Sequence, residues 1–157
     1  MQGRVVAALS ALVLVACQPT EIELEEAERV ALIDTALMVH ADLVAAAEQA
    51  DVELLLSFFS EDVGLIIDGE VVDYESFVDQ VRRGYAALDH QEIQWHPAKA
   101  AVVSRDAVAL TLGGTYTAVS TAGDTVAGGK VAWSELLVRQ RDNTWKITEA
   151  HQSFPPR

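Results

Sequence analysis

Apolar positions along the chain change their spacing near residue 88: before it they recur every three or four residues, and after it they alternate. From about Glu25 to Gln49 the chain is rich in Ala and Leu and has neither Gly nor Pro. Val30, Ile33, Leu37, Ala41, Val44 and Ala47 recur at steps of three and four, which predicts one amphipathic helix of good helix formers. Asp51 can cap a second, short helix over "VELLLSFFSED". "GLIIDGEVVDY" reads as a small hairpin turning at Asp68-Gly69. Asp73 can cap a third helix, on which Phe77, Val81, Tyr85 and Leu88 make one apolar stripe.

Beyond Leu88 the pattern is that of strands. "HQEIQWHP" alternates, with Ile93 and Trp95 on one side; "AKAAVVS", "AVALTLGGTYTAVS", "TVAGGKVAWSELLVRQ" and "TWKITEAHQSF" follow. The clusters "RD", "TAGD" and "RDN" between them supply turns. Helices first and then an antiparallel meander predict an α+β fold, with N-terminal helices packed on a strongly curved antiparallel sheet. Gly113-Gly114 and Gly128-Gly129 fall inside strand patterns and suggest bulges or sharp bends.

The first residues do not belong to that domain. "MQGRVVAALSALVLVAC" carries Arg4, then an apolar run from Val5 to Ala16. The run is shorter than the ~20 residues a membrane-spanning helix needs and fits a secretory signal. Its end, Leu14 to Cys17, resembles a bacterial lipobox, which implies lipidation of Cys17 and cleavage before it. The expected organisation is a lipoprotein signal peptide over 1–16, an acidic tether over 17–26, and the folded domain over 27–157. Several acyl chains anchor a protein firmly where one does not, so the lipid bilayer is the expected partner of Cys17. By resemblance to Gram-negative sorting rules, Gln18 in place of Asp favours the outer membrane, facing the periplasm. Cys17 is the only cysteine, so no disulfide forms within the chain.

Charge narrows the partners. The whole chain carries −13, from 11 Lys and Arg against 24 Asp and Glu; without residues 1–16, which hold only Arg4, it is −14. Such a surface repels phosphate backbones and argues against nucleic acid. The four histidines, His40, His90, His96 and His151, show no metal-ligand spacing, so no metal is expected. Neither a Gly-rich phosphate loop nor a Gly-x-Ser-x-Gly elbow is present, and no cofactor is expected.

The order of these elements, with "FFSEDV" closing the second helix and "DGEVVDYESF" leading into the third, resembles the nuclear transport factor 2-like superfamily, in its SnoaL-like and ketosteroid isomerase-like branches. The ending "RDNTWKITEAHQS" carries most of the likeness, through Arg141, Asp142, Trp145, Lys146, Ile147, His151 and Ser153. The resemblance implies a sheet curled into a cone whose mouth is a pocket, and often a homodimer. The family's chemistry includes isomerases, dehydratases and cyclases as well as proteins without a known reaction. Its isomerase branch uses an acidic base with a Tyr and a protonated acid as oxyanion hole. Tyr85 and Tyr116 are the tyrosines near the implied cavity, and the first helix offers only His40 in place of a Tyr.

The last hairpin sets out which residues would face such a cavity. With Asp142-Asn143 as a two-residue loop, Val138 meets Ile147, Leu136 meets Glu149 and Ser134 meets His151; a three-residue loop would slip the register by one. On the first count Trp145, Ile147, Glu149, His151, Ser153 and Ser134 share the inner face, while Trp133, Glu135 and Leu137 lie outside, where a second copy could cover them. An imidazole can exchange a proton near neutral pH, so His151 and Glu149 are the candidate catalytic pair, although a structural hydrogen bond between them is the simpler reading. Ser153, Ser134, Tyr85, Tyr116, Trp95 and His40 are candidate ligand contacts. Trp95 and His40 read more readily as core residues than as site residues. Three functions remain open: a membrane-anchored domain that binds a small, partly apolar molecule, a cofactor-free enzyme using His151 and Glu149, and a structural module with a filled cone.

Overall fold

The computed structural model describes residues 24–154. The expected signal peptide, most of the tether and Cys17 lie outside the described residues. The elements run α1 (Glu26–Glu48), α2 (Val52–Ser57), β1 (Phe59–Ile67), β2 (Glu70–Val72), α3 (Tyr74–Tyr85), β3 (Leu88–Trp95), β4 (Lys99–Ser104), β5 (Ala107–Ser120), β6 (Thr125–Arg139) and β7 (Trp145–Ser153). One sheet has the order β2-β1-β7-β6-β5-β3, and β4 also pairs with β5. The α+β class is as the hydrophobic pattern implies, and the helices cover one face of a curved, unclosed sheet.

Local chemistry explains the helix starts. Asp51 accepts from Leu54 N at 3.1 Å and Asp73 from Ser76 N at 2.8 Å, so each acid caps its helix. Asp68 and Gly69 both have positive φ, 50° and 89°, the conformation of a tight primed hairpin turn. The helix "VELLLSFFSED" is shorter than its periodicity suggests, because Phe59 leaves it to begin β1 and pair with Ile147.

Four differences from the sequence pattern stand out. The sheet is mixed, since β1 pairs with β7 in parallel and hangs the β1–β2 hairpin on its edge. The buried row of α1 is Ala36, His40, Leu43, Ala46 and Ala47, whereas Val30 and Leu37 are 47% and 37% exposed and Ala41 is exposed too. Apolar residues surround most of α1, so periodicity alone does not choose a face; by length and composition the helix could even cross a membrane. Here it covers the sheet, with Glu48 Oε1 accepting from Ile93 N at 3.0 Å. The glycine pairs are not at bulges: β5 and β6 run in continuous register through Gly113, Gly114, Gly128 and Gly129.

The fourth difference reverses the wall of the cone. Gln140 N bonds Thr144 O at 2.7 Å, and Asn143 takes φ 67°, so the last hairpin has a three-residue loop. Leu137 therefore meets Ile147 and Val138 meets Lys146. Between Leu136 and Leu137 the register then shifts: Thr148 is an extra residue on β7, and Leu136 meets Glu149 and Ser134 meets His151, as the two-residue count gives. The extra residue breaks the alternation. Ile147, Ala150 and Gln152 face the helices, and Glu149, His151 and Ser153 face away. Across on β6, the inward row is Val131, Trp133, Glu135 and Leu137. Leu110, Leu137, Ile147 and Val108 are the largest fully buried side chains, each worth roughly 1.5–3 kcal/mol of burial.

Candidate functional site

Between α1, α3 and the concave face of the sheet lies a cavity of about 480 Å³. That is the size range of small-molecule sites. The apolar stripe of α3, Phe77, Val81 and Tyr85, forms one wall together with Leu88. Ile93 and Trp95 from β3, Tyr116 and Ala118 from β5, and Val131 and Trp133 from β6 form the opposite one. Leu43, Val44 and Ala47 of α1 complete it. The mouth is apolar as well: Val126 is 58% exposed and Phe154 38%. Phe154 stacks obliquely on Tyr116 at 5.2 Å, and its backbone N–H donates to Asp68 Oδ1 at 2.8 Å in the β1–β2 turn.

At the deep end sits a polar cluster. Glu135 is 3% exposed and His40 6%. Glu135 Oε1 lies 2.9 Å from His40 Nδ1, and Oε2 accepts from Trp133 Nε1 at 2.7 Å. Opposite an ionised Glu135, which can only accept, Nδ1 of His40 is the donor, and Nε2 lies on the other edge of the ring. Among the described residues, His40 Nε2 and Trp95 Nε1 are buried and have no hydrogen-bond partner. The two rings meet edge to face at 5.6 Å. Burial also acts on Tyr85: desolvation raises its phenol above the ordinary value, opposed in part by a hydrogen bond with Gln91.

Of the residues singled out from sequence, His40, Tyr85, Tyr116 and Trp95 line the cavity. The others do not. His151 and Glu149 are exposed on the convex face, and Ser134 and Ser153 lie half-buried on that same face. The expected catalytic pair is thus outside the cone, because the Thr148 bulge turns it there. Trp133 and Leu137, expected outside, are inside; Leu137 is fully buried. Glu135 was missed for the same reason. Its signal was present, however: one carboxylate in the alternate row Val131, Trp133, Glu135, Leu137, and one imidazole on an Ala- and Leu-rich helix. Two isolated polar groups in apolar rows can satisfy each other.

A curved sheet wrapped by helices around a pocket defines a class of small α+β cone domains. Residues 37–157 match the family model described as SnoaL-like domain, and the chain belongs to that family. Solved structures agree in fold. A putative scytalone dehydratase from Novosphingobium aromaticivorans superposes with a TM-score of 0.71 at 10% identity, over 84% of this chain and 89% of that one. A putative dehydratase of the NTF2-like family from Streptomyces avermitilis gives 0.69 at 15% identity, over 82% and 99%. A nuclear transport factor 2-like protein from Salmonella enterica gives 0.69 at 15% identity, over 82% and 94%. No curated protein matches the sequence.

Proposed function

We propose that this domain binds a small, largely apolar molecule in the cavity, with the ligand's polar end at His40 and Trp95. The observation that carries this reading is an apolar chamber lined by His40 and Trp95, each with a buried polar atom that has no hydrogen-bond partner among the described residues. Buried polar groups in proteins are almost always paired, so a ligand that pairs them is the economical explanation. The test uses the neutral apolar dye N-phenyl-1-naphthylamine. It should bind saturably, and Ala127→Trp, which fills the cavity from β6, should abolish binding while the protein stays folded by circular dichroism. A dye signal that does not saturate, or that survives the filled cavity, would overturn the reading.

A second reading has its own support. Glu135 holds His40 Nδ1 and leaves Nε2 as a proton acceptor, the arrangement of a general base oriented by a carboxylate. The domain would then be a cofactor-free isomerase, dehydratase or cyclase, with His40 and Glu135 in the roles that sequence reasoning gave to His151 and Glu149. Catalysed deuterium exchange at the carbon beside the carbonyl of 2-indanone, lost in His40→Gln, checks it; exchange at the buffer rate would remove it. Outside the cavity, the reading includes a lipid tether at Cys17 in the cell envelope and pairing of two copies. Metabolic labelling of Cys17 with palmitate and light scattering of the purified domain test these parts.

A further inference from the structure

The two unpaired atoms at the deep end of the cavity differ in kind. Trp95 Nε1 is an indole N–H and can only donate. In the neutral imidazole with Nδ1–H donated to Glu135, His40 Nε2 offers a lone pair and accepts. The Trp95 ring is fixed by its neighbours. Its Cε3 edge rests on Gly114 of β5, where even a Cβ would come within 3.0 Å of it. Both rings line the cavity, and they meet edge to face at 5.6 Å. A donor beside an acceptor is the complement of a hydroxyl group, which accepts at its lone pairs and donates its hydrogen. A ketone or ether oxygen would satisfy the indole alone and leave Nε2 facing another lone pair. Charge gives no alternative anchor: among the described residues lining the cavity none is Lys or Arg, and both oxygens of Glu135 are already engaged.

We propose that the ligand is a neutral alcohol or phenol on an apolar body, its single oxygen accepting from Trp95 Nε1 and donating to His40 Nε2. This rests on the reading of the cavity as a site for a small apolar molecule. Three near-isosteric probes separate the two claims by calorimetric titration at neutral pH: 4-tert-butylphenol, which donates and accepts, 4-tert-butylanisole, which only accepts, and 4-tert-butyltoluene, which does neither. The phenol should bind about 10-fold tighter than the toluene, with the anisole well below the phenol. Trp95→Phe keeps the ring and removes the N–H; it should weaken the phenol about 10-fold and leave the toluene within about 2-fold. His40→Phe should likewise remove the preference of phenol over anisole. Equal binding of phenol and toluene, or of phenol and anisole, would overturn the hydroxyl assignment and leave the cavity reading standing. So would equal weakening of all three probes by Trp95→Phe. Failure of every probe to bind would overturn both.

Discussion

Glu135 holds two side chains of the interior at once, as partner of the buried His40 Nδ1 and acceptor for Nε1 of the half-buried Trp133. Replacing it with Ala strands both and should cost about 3 kcal/mol in urea denaturation, since an unsatisfied buried donor costs ~1–3 kcal/mol. His151→Ala removes an exposed side chain on the convex face, and dye binding and stability should both stay at the wild-type level. Tyr85 gives a pH signature. Its phenol is raised by burial, so the folded state holds the proton that the unfolded chain releases. Stability is therefore intact below the ordinary phenol value of 10.0 and falls as pH climbs past it toward the raised value. Melting of Tyr85→Phe should decline less steeply above pH 10.0 than melting of the wild type.

At the scale of the element, glycine positions separate close approach from open space. A Cβ at Gly114 would run into Gln94 O of β3 and the Trp95 ring, and the backbone oxygen cannot swing aside. Gly114→Ala should destabilise by about 2 kcal/mol, the range of overpacking, and weaken ligand binding through Trp95. At Gly64 the obstacle is the flexible end of Glu149, so Gly64→Ala should cost well under about 1 kcal/mol. Thermal melts of the two variants check the contrast. Elements were largely legible in the sequence for reasons of this local kind: Asp51 and Asp73 as caps, Asp68-Gly69 as a turn, alternation in β3. What was not legible was parity. Nothing in "TWKITEAHQSF" marks Thr148 as an extra residue, since the shift arises from pairing with β6 and with β1, whose own register is irregular between Phe59 and Gly64. A two-fold side-chain period makes one such residue enough to exchange the faces.

Across the whole molecule, His40 and Glu135 lie 95 positions apart and meet only because α1 lies across the strands. Half of the chamber was therefore readable, the apolar half: Ile93, Trp95 and the α3 stripe follow from periodicity, while the polar end needed the tertiary fold. The C-terminal lip adds a consequence. Phe154 is an exposed part of the cavity wall and is fastened by its backbone to a carboxylate in the β1–β2 turn, whereas His40 is buried. Asp68→Gly keeps the left-handed turn but cuts that fastening. In stopped-flow mixing the dye should then enter and leave faster by similar factors, with its dissociation constant nearly unchanged. Residence time would be governed at the rim and selectivity at the base, so the two properties can be tuned one without the other.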